Sequence, residues 1–146
     1  MTLDVILRYR TRRPWAPGPA TLRRWARLAA DGRGGMLGIR VVGSRESRAL
    51  NGRWRGRDAP TNVLSFPASP DLRGRELGDL VVCAPVVARE AREQGKRLAA
   101  HWAHMVVHGT LHLLGYDHAR AADARRMEGR ERALLARLGI ADPYGS

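Results

Sequence analysis

Two hydrophobic periods run along this chain, and the places where one gives way to the other mark its elements. Leu3, Val5 and Leu7 recur every second residue, the period of a strand with one buried face. Pro14, Pro17, Gly18 and Pro19 interrupt the pattern as a loop. Over residues 21–30 the apolar positions Leu22, Trp25, Leu28 and Ala29 take up helical spacing, and Asp31 and Gly32 close the segment. Leu37, Ile39 and Val41 then return to alternation. Strand, helix and strand in that order predict a crossover unit with two parallel strands.

Ser44 is expected to cap a short helix that has Glu46 in its first turn and carries Leu50 towards Trp54. Residues 53–60 are polar, basic and interrupted by Gly56 and Pro60, so they predict a loop. Residues 62–66 form a short strand, with Pro67 beside it suggesting a sheet edge. Residues 77–83 follow a loop rich in Pro, Gly and charge; their strand should run antiparallel to its predecessor, because the connection is short and holds no helix. Pro85 suits the first turn of a helix reaching Gln94, with Gly95 as its stop. Residues 98–114 predict a helix that is apolar around most of its circumference, and residues 121–138 a last one with Met127, Leu134, Leu135 and Leu138 inward. The expected architecture is α/β, a single domain with a small mixed sheet of about four strands flanked by about five helices.

A length of 146 residues suits one domain, residues 1–146, with a proper core. The longest apolar run, residues 80–88, falls far short of the ~20 residues a membrane span requires. The first apolar stretch contains Asp4 and is no signal-peptide core, and the lone Cys83 allows no internal disulfide. A soluble protein in the cytoplasm, without a membrane partner, is the expectation. A formal charge of +12 favours a polyanionic partner. Only Lys96 among the 26 basic residues is a lysine, however, and such an arginine excess can come from GC-rich coding. The net charge therefore singles out no individual arginine.

Chemistry concentrates in residues 101–118, which hold all five histidines. His108 and His112 stand four apart on the apolar helix and share one face, so both imidazoles can reach one ion. Gly115 tolerates the positive φ at which the helix would stop, and Tyr116 and Asp117 lead the turn back to His118. Three neutral imidazoles suit Zn²⁺, one ion per chain, and three protein ligands leave the fourth position open as in catalytic zinc sites. His-x-x-x-His-x-x-Gly-x-x-His is the spacing of the metzincin peptidases, on a metzincin-like metal helix, with one change. Gly109 stands where a peptidase needs its glutamate base. His101 and His104 are expected to be hydrogen-bonded core histidines. A straight helix would spread His104, His108 and His112 over ~12 Å of axis, which favours His118 as the third ligand.

HGTLHLLGYDH, preceded by AHMVV and followed by an Arg/Glu-rich helix with Met127, Glu128 and Glu131, resembles the signature of the YbeY family of bacterial endoribonucleases. LNGRWRGRDAPTNVLSFP over residues 50–67, ELGDLVVCAP over 76–85 and AREQGK over 91–96 fit the same family. The resemblance implies a single-strand-selective endoribonuclease acting on RNA in 16S rRNA 3′-end maturation and ribosome quality control, with the small ribosomal subunit and its proteins as partners. It also implies that Arg55, in the RWRG context, is a functional arginine that stabilises charge on the phosphodiester. Arg53 and Arg57 read as solvated loop arginines.

Glu131 is four residues beyond Met127 and reads equally as an orienting carboxylate behind a ligand histidine or as a surface residue. Asp117 reads equally as a tautomer-holding carboxylate or as a turn former. No residue stands out as a general base, and in RNA the neighbouring 2′-hydroxyl can serve as nucleophile. A ribosome- or RNA-binding module with structural zinc and a metzincin-like peptidase are the alternatives, the latter opposed by Gly109.

Overall fold

Four strands assemble into one mixed sheet in the computed structural model, which describes residues 2–72 and 75–145. The strands are β1 (Leu3–Tyr9), β2 (Gly35–Val42), β3 (Val63–Pro67) and β4 (Glu76–Cys83), in the order β1-β2-β4-β3. β1, β2 and β4 run parallel and β3 is antiparallel to β4. The expected crossover is present: α1 (Pro19–Ala30) joins β1 to β2. β3 takes the expected edge, where Pro67 costs the ladder least. The predicted loop before β4 includes Arg73 and Gly74, which lie outside the described residues.

The described residues form five α-helices; besides α1 these are α2 (Ser44–Arg55), α3 (Ala84–Glu93), α4 (Leu98–Leu113) and α5 (Ala121–Arg137). The two sheet faces are covered differently. Leu3, Val5, Leu37, Ile39, Leu80 and Val82 point to one side and share a core with α1, α4 and α5. Trp102, Val106 and Leu111 of α4 are fully buried there, so the helix cannot slide or rotate without opening the core. On the other side Val42, Leu64, Val81 and Cys83 form a smaller cluster under Leu50 of α2 and Val86 of α3. Towards β1 that side stays open, leaving Ile6 and Met36 exposed.

Two boundaries differ from expectation around α2. Gly43, not Ser44, is the capping residue, and no side chain completes the cap. Residues 53–55 are not loop but the last turn of the helix, which ends when Gly56 takes a φ of 70°, its N–H bonding to the Gly52 carbonyl and the Arg57 N–H to that of Asn51. Side chains from the helix hold the following segment in place. Ser47 Oγ accepts from the Thr61 N–H at 2.9 Å and donates to the Thr61 carbonyl at 3.1 Å. Asn51 donates to the Ala59 carbonyl at 2.8 Å. These long-range tethers complete a turn whose local composition suggests coil.

Candidate metal centre

α4 brings a row of histidines across the domain. His101 and His104 are 3% and 7% exposed, while the His108 side chain keeps 24% and that of His118 59%. Gly115 follows the helix with a φ of 100°, and the Tyr116 N–H bonds back to the Leu111 carbonyl at 3.0 Å. That reversal returns the chain towards α4 and sets His118 beside it. The ring centroids of His108 and His112 lie 4.7 Å apart, those of His112 and His118 5.0 Å, and those of His108 and His118 6.0 Å.

These spacings test whether three imidazoles fit one ion. With a Zn–N bond of ~2.1 Å and ~1.1 Å from nitrogen to ring centre, tetrahedral ligands put their centroids roughly 5.2 Å apart. The three centroid separations scatter on either side of that value, while the ligand atoms that all lie within 4.8 Å of one another among the described residues are those of His104, His108 and Glu131. Burial, followed by the imidazoles of His108 and His118, pulls the His112 pKa below the ordinary histidine value, against the Tyr116 backbone and Asp117. His112 is therefore neutral near pH 7, as a coordinating imidazole must be. Asp117 acts as a turn former. Its Oδ1 accepts the backbone N–H of His118 at 2.7 Å and of Ala119 at 3.3 Å, but lies 3.8 Å from His118 Nδ1.

Behind the triplet lies a carboxylate. Glu131 is fully buried on the inward stripe of α5, so the open reading of this residue resolves in favour of an interior role. Its Oε2 is 2.7 Å from His104 Nε2 and 3.1 Å from His108 Nδ1, and its Oε1 accepts the Tyr144 hydroxyl at 2.7 Å. Burial alone would raise the Glu131 pKa. The bonds from His104 and His108, the charge interaction with His108 and the Tyr144 hydroxyl together outweigh it and hold the pKa at about 2. The candidate ligand atoms of His104, His108 and Glu131 lie within 4.8 Å of one another, a group that could hold a metal ion. His104 is thus a hydrogen-bonded core histidine, as expected, and also part of the centre. Its i−4 relation to His108 was the available signal; Tyr144, far along the chain in the tail, offered none. His101 pairs with Glu90 instead, Nε2 to Oε1 at 2.9 Å.

Gly109 points away from this cluster and into the sheet. A Cβ there would meet Leu80 Cδ2 at 2.8 Å and Val63 Cγ2 at 3.2 Å, so only glycine lets α4 approach β3 and β4 this closely. Ser65 Oγ donates to the Gly109 carbonyl at 3.2 Å and closes the contact. A glutamate at this position would meet the strands, not a substrate.

Arg55 is exposed on the last turn of α2, the helix over the opposite sheet face, and among the described residues no hydrogen bond or ion pair joins it to the histidines. Trp54 beside it is 61% exposed and meets Phe66 edge-on at 6.1 Å, with the Arg53 guanidinium 5.2 Å from its ring centre. Trp54 forms one wall of a groove of about 640 Å³ over the open sheet face, whose lining also includes Arg8, Arg40, Phe66 and Asp79.

Comparison with known proteins places these features in context. Residues 21–139 match the model of the family described as Endoribonuclease YbeY. The Endoribonuclease YbeY of Alkalilimnicola ehrlichii is 63% identical over 136 residues, covering 88% of this chain and 82% of that protein. That of Halorhodospira halophila is 59% identical, with 88% of each chain covered, and that of Stenotrophomonas maltophilia 52% identical, covering 97% of this chain and 93% of its own. The solution structure of TM1509 from Thermotoga maritima has the same fold at 22% identity, with a TM-score of 0.61 over 97% of this chain and 99% of that one.

Proposed function

Since the chain belongs to the Endoribonuclease YbeY family, we propose that it is a zinc-dependent, single-strand-selective endoribonuclease. It acts in the cytoplasm on the 3′ end of 16S rRNA and in ribosome quality control, with the small ribosomal subunit and its proteins as partners. The observation that supports the chemical part is the packing of the His108, His112 and His118 rings against one another, with centroids 4.7, 5.0 and 6.0 Å apart, beside a Gly109 that leaves no room for a peptidase base.

In this reading His108, His112 and His118 hold one Zn²⁺. Bound there, the ion supplies a Lewis acid that polarises a phosphoryl oxygen. Behind it, His104 Nε2 and His108 Nδ1 both donate to the Glu131 carboxylate, which leaves Nε2 of His108 available. Arg55, exposed on the last turn of α2, meets the RNA backbone and offsets charge on a phosphate there. Trp54 offers a stacking face to an unpaired base next to that phosphate, and a duplex, whose bases are already stacked, cannot use it. The net charge of +12 raises the local concentration of any polyanion.

The test uses labelled single-stranded and duplex RNA, with and without chelator, and compares the wild type with Arg55→Glu and His108→Ala. Cleavage of the single strand alone, lost with chelator and with His108→Ala and weakened by Arg55→Glu, is expected. The same cleavage pattern from all three proteins would assign the activity to a contaminant and end the reading. Circular dichroism of His112→Ala separates a catalytic ion, whose loss spares the fold, from a structural one.

A further inference from the structure

We propose that Glu131, held by the hydroxyl of Tyr144, is a positioning residue that fixes His108 in the tautomer able to bind the cation. The inference rests on the reading that His108, His112 and His118 are the ligands, and it identifies what aims the first of them.

A carboxylate only accepts hydrogen bonds, so the three atoms around Glu131 must all bring protons: His104 Nε2, His108 Nδ1 and the Tyr144 hydroxyl. A neutral His108 with its proton on Nδ1 carries its lone pair on Nε2, the ring atom on the far side from Glu131. Tautomer and ring orientation are set by one contact. Among the described residues neither His112 nor His118 has a carboxylate within hydrogen-bond distance, Asp117 lying 3.8 Å from His118 Nδ1. His108 is therefore the one ligand of the triplet anchored from behind.

The anchor is in turn held by the end of the chain. The Asp142 carboxylate takes two bonds from Arg132 Nε, at 3.0 and 2.9 Å, and accepts the Tyr144 N–H at 2.9 Å. Lys96 Nζ donates to the Pro143 carbonyl at 3.3 Å, and the Arg132 guanidinium lies 5.3 Å from the Tyr144 ring centre. These surface contacts fasten residues 142–144 across α5 and the start of α4, and they deliver one hydroxyl to the buried Oε1. With Oε1 occupied, Oε2 is left to the two imidazoles. Without the hydroxyl the carboxylate is free to turn, and the His108 bond loses its direction.

Two variants and two readouts test this in the full chain. Glu131→Gln can present an amide N–H to His108 Nδ1 and so favours the wrong tautomer; Tyr144→Phe keeps the ring and removes only the hydroxyl. Long-range ¹H–¹⁵N spectra of the metal-free wild type should show His108 protonated on Nδ1, and the Glu131→Gln spectrum should show it on Nε2. Zinc affinity, read by competition with a chromophoric chelator on samples of unchanged circular dichroism, should fall about 10–100-fold in Glu131→Gln and by a smaller factor in Tyr144→Phe. Wild-type affinity in both variants, or an Nε2-protonated His108 in the wild type, overturns the proposal and leaves the ligand assignment standing. A wild type that takes up no stoichiometric zinc brings down the ligand assignment and this proposal with it.

Discussion

Gly109→Glu would complete the metzincin motif on paper, and the structure predicts that it instead damages the fold without creating a peptidase. The effect can be built up in two steps. Gly109→Ala gains about 1 kcal/mol of helix propensity. Against that, its Cβ would sit 2.8 Å from Leu80 Cδ2 and 3.2 Å from Val63 Cγ2. Leu80 is fully buried on an interior strand and cannot retreat into solvent, so overpacking of about 1–3 kcal/mol applies. The alanine variant should therefore lose about 0–2 kcal/mol. Glutamate adds a carboxyl group facing apolar side chains, and an unpaired polar group buried there costs about 2–7 kcal/mol more. Set against a typical domain stability of about 5–15 kcal/mol, that sum removes a large part of the fold's margin. Urea unfolding followed by circular dichroism measures the losses, and a casein digest tests for proteolysis. A Gly109→Glu protein with the wild-type unfolding midpoint, or with zinc-dependent casein cleavage, would refute the argument that this position belongs to the helix–sheet contact.

Three further outcomes are expected. Trp54→Ala should weaken binding of single-stranded RNA by about 1–3 kcal/mol, roughly 5- to 150-fold, and leave duplex binding unchanged; equal losses for both in a filter-binding assay would remove Trp54 from base recognition. Ser47→Ala strips both backbone groups of Thr61 of their partner, so it should cost about 2 kcal/mol, a melting point lower by roughly 4–8 °C; an unchanged melting curve would contradict the tether. Burial works to raise the Glu90 pKa from 4.5, but the bonds from His101 and Asn62 outweigh it and leave the pKa lowered. A depressed folded pKa means stability that is present above pH 4.5 and lost as pH falls towards the folded value. Glu90→Gln should flatten that acid-side loss, and urea midpoints that fall equally with pH in variant and wild type would show that the pair contributes nothing.

The parts of the fold legible from sequence are those set by one-sided burial. Leu3 and Val5 are buried while Asp4 between them and Ile6 beyond them stay exposed, so alternation alone identifies β1 and the face it buries. Strand direction followed from connection length, because an α-helix lies between β1 and β2, whereas among the described residues only the 3-10 turn Pro70–Leu72 lies between β3 and β4. What was not legible depends on partners remote in sequence. Residues 53–55 are helical because Ser47 and Asn51 tie the chain beyond Gly56 back onto α2, and no local composition shows that. Gly109 reads as a missing glutamate until Leu80 and Val63 are seen against it. Glu131 could have been found from spacing alone: with Met127, Leu134 and Leu135 it completes the inward stripe of α5, and a carboxylate in such a stripe requires a buried partner.

Along α4 the same side chain does three different things, and what separates them is the neighbour each one meets at its depth. His101, packed deepest, meets Glu90 and ties α4 to α3. His104 and His108 share Glu131, and the His108 ring also lies beside those of His112 and His118, with centroids 4.7 and 6.0 Å away. Among the described residues no carboxylate bonds to His112, and burial with two adjacent imidazoles keeps it neutral. A motif of spaced histidines therefore specifies a direction along the helix, whereas the carboxylates of α3 and α5 set the boundary between the histidines held in buried hydrogen bonds and those left outside them. Moving the Glu131 carboxylate one turn along α5 would be expected to move that boundary with it, which makes α5 as much a part of the centre as the helix that carries the histidines.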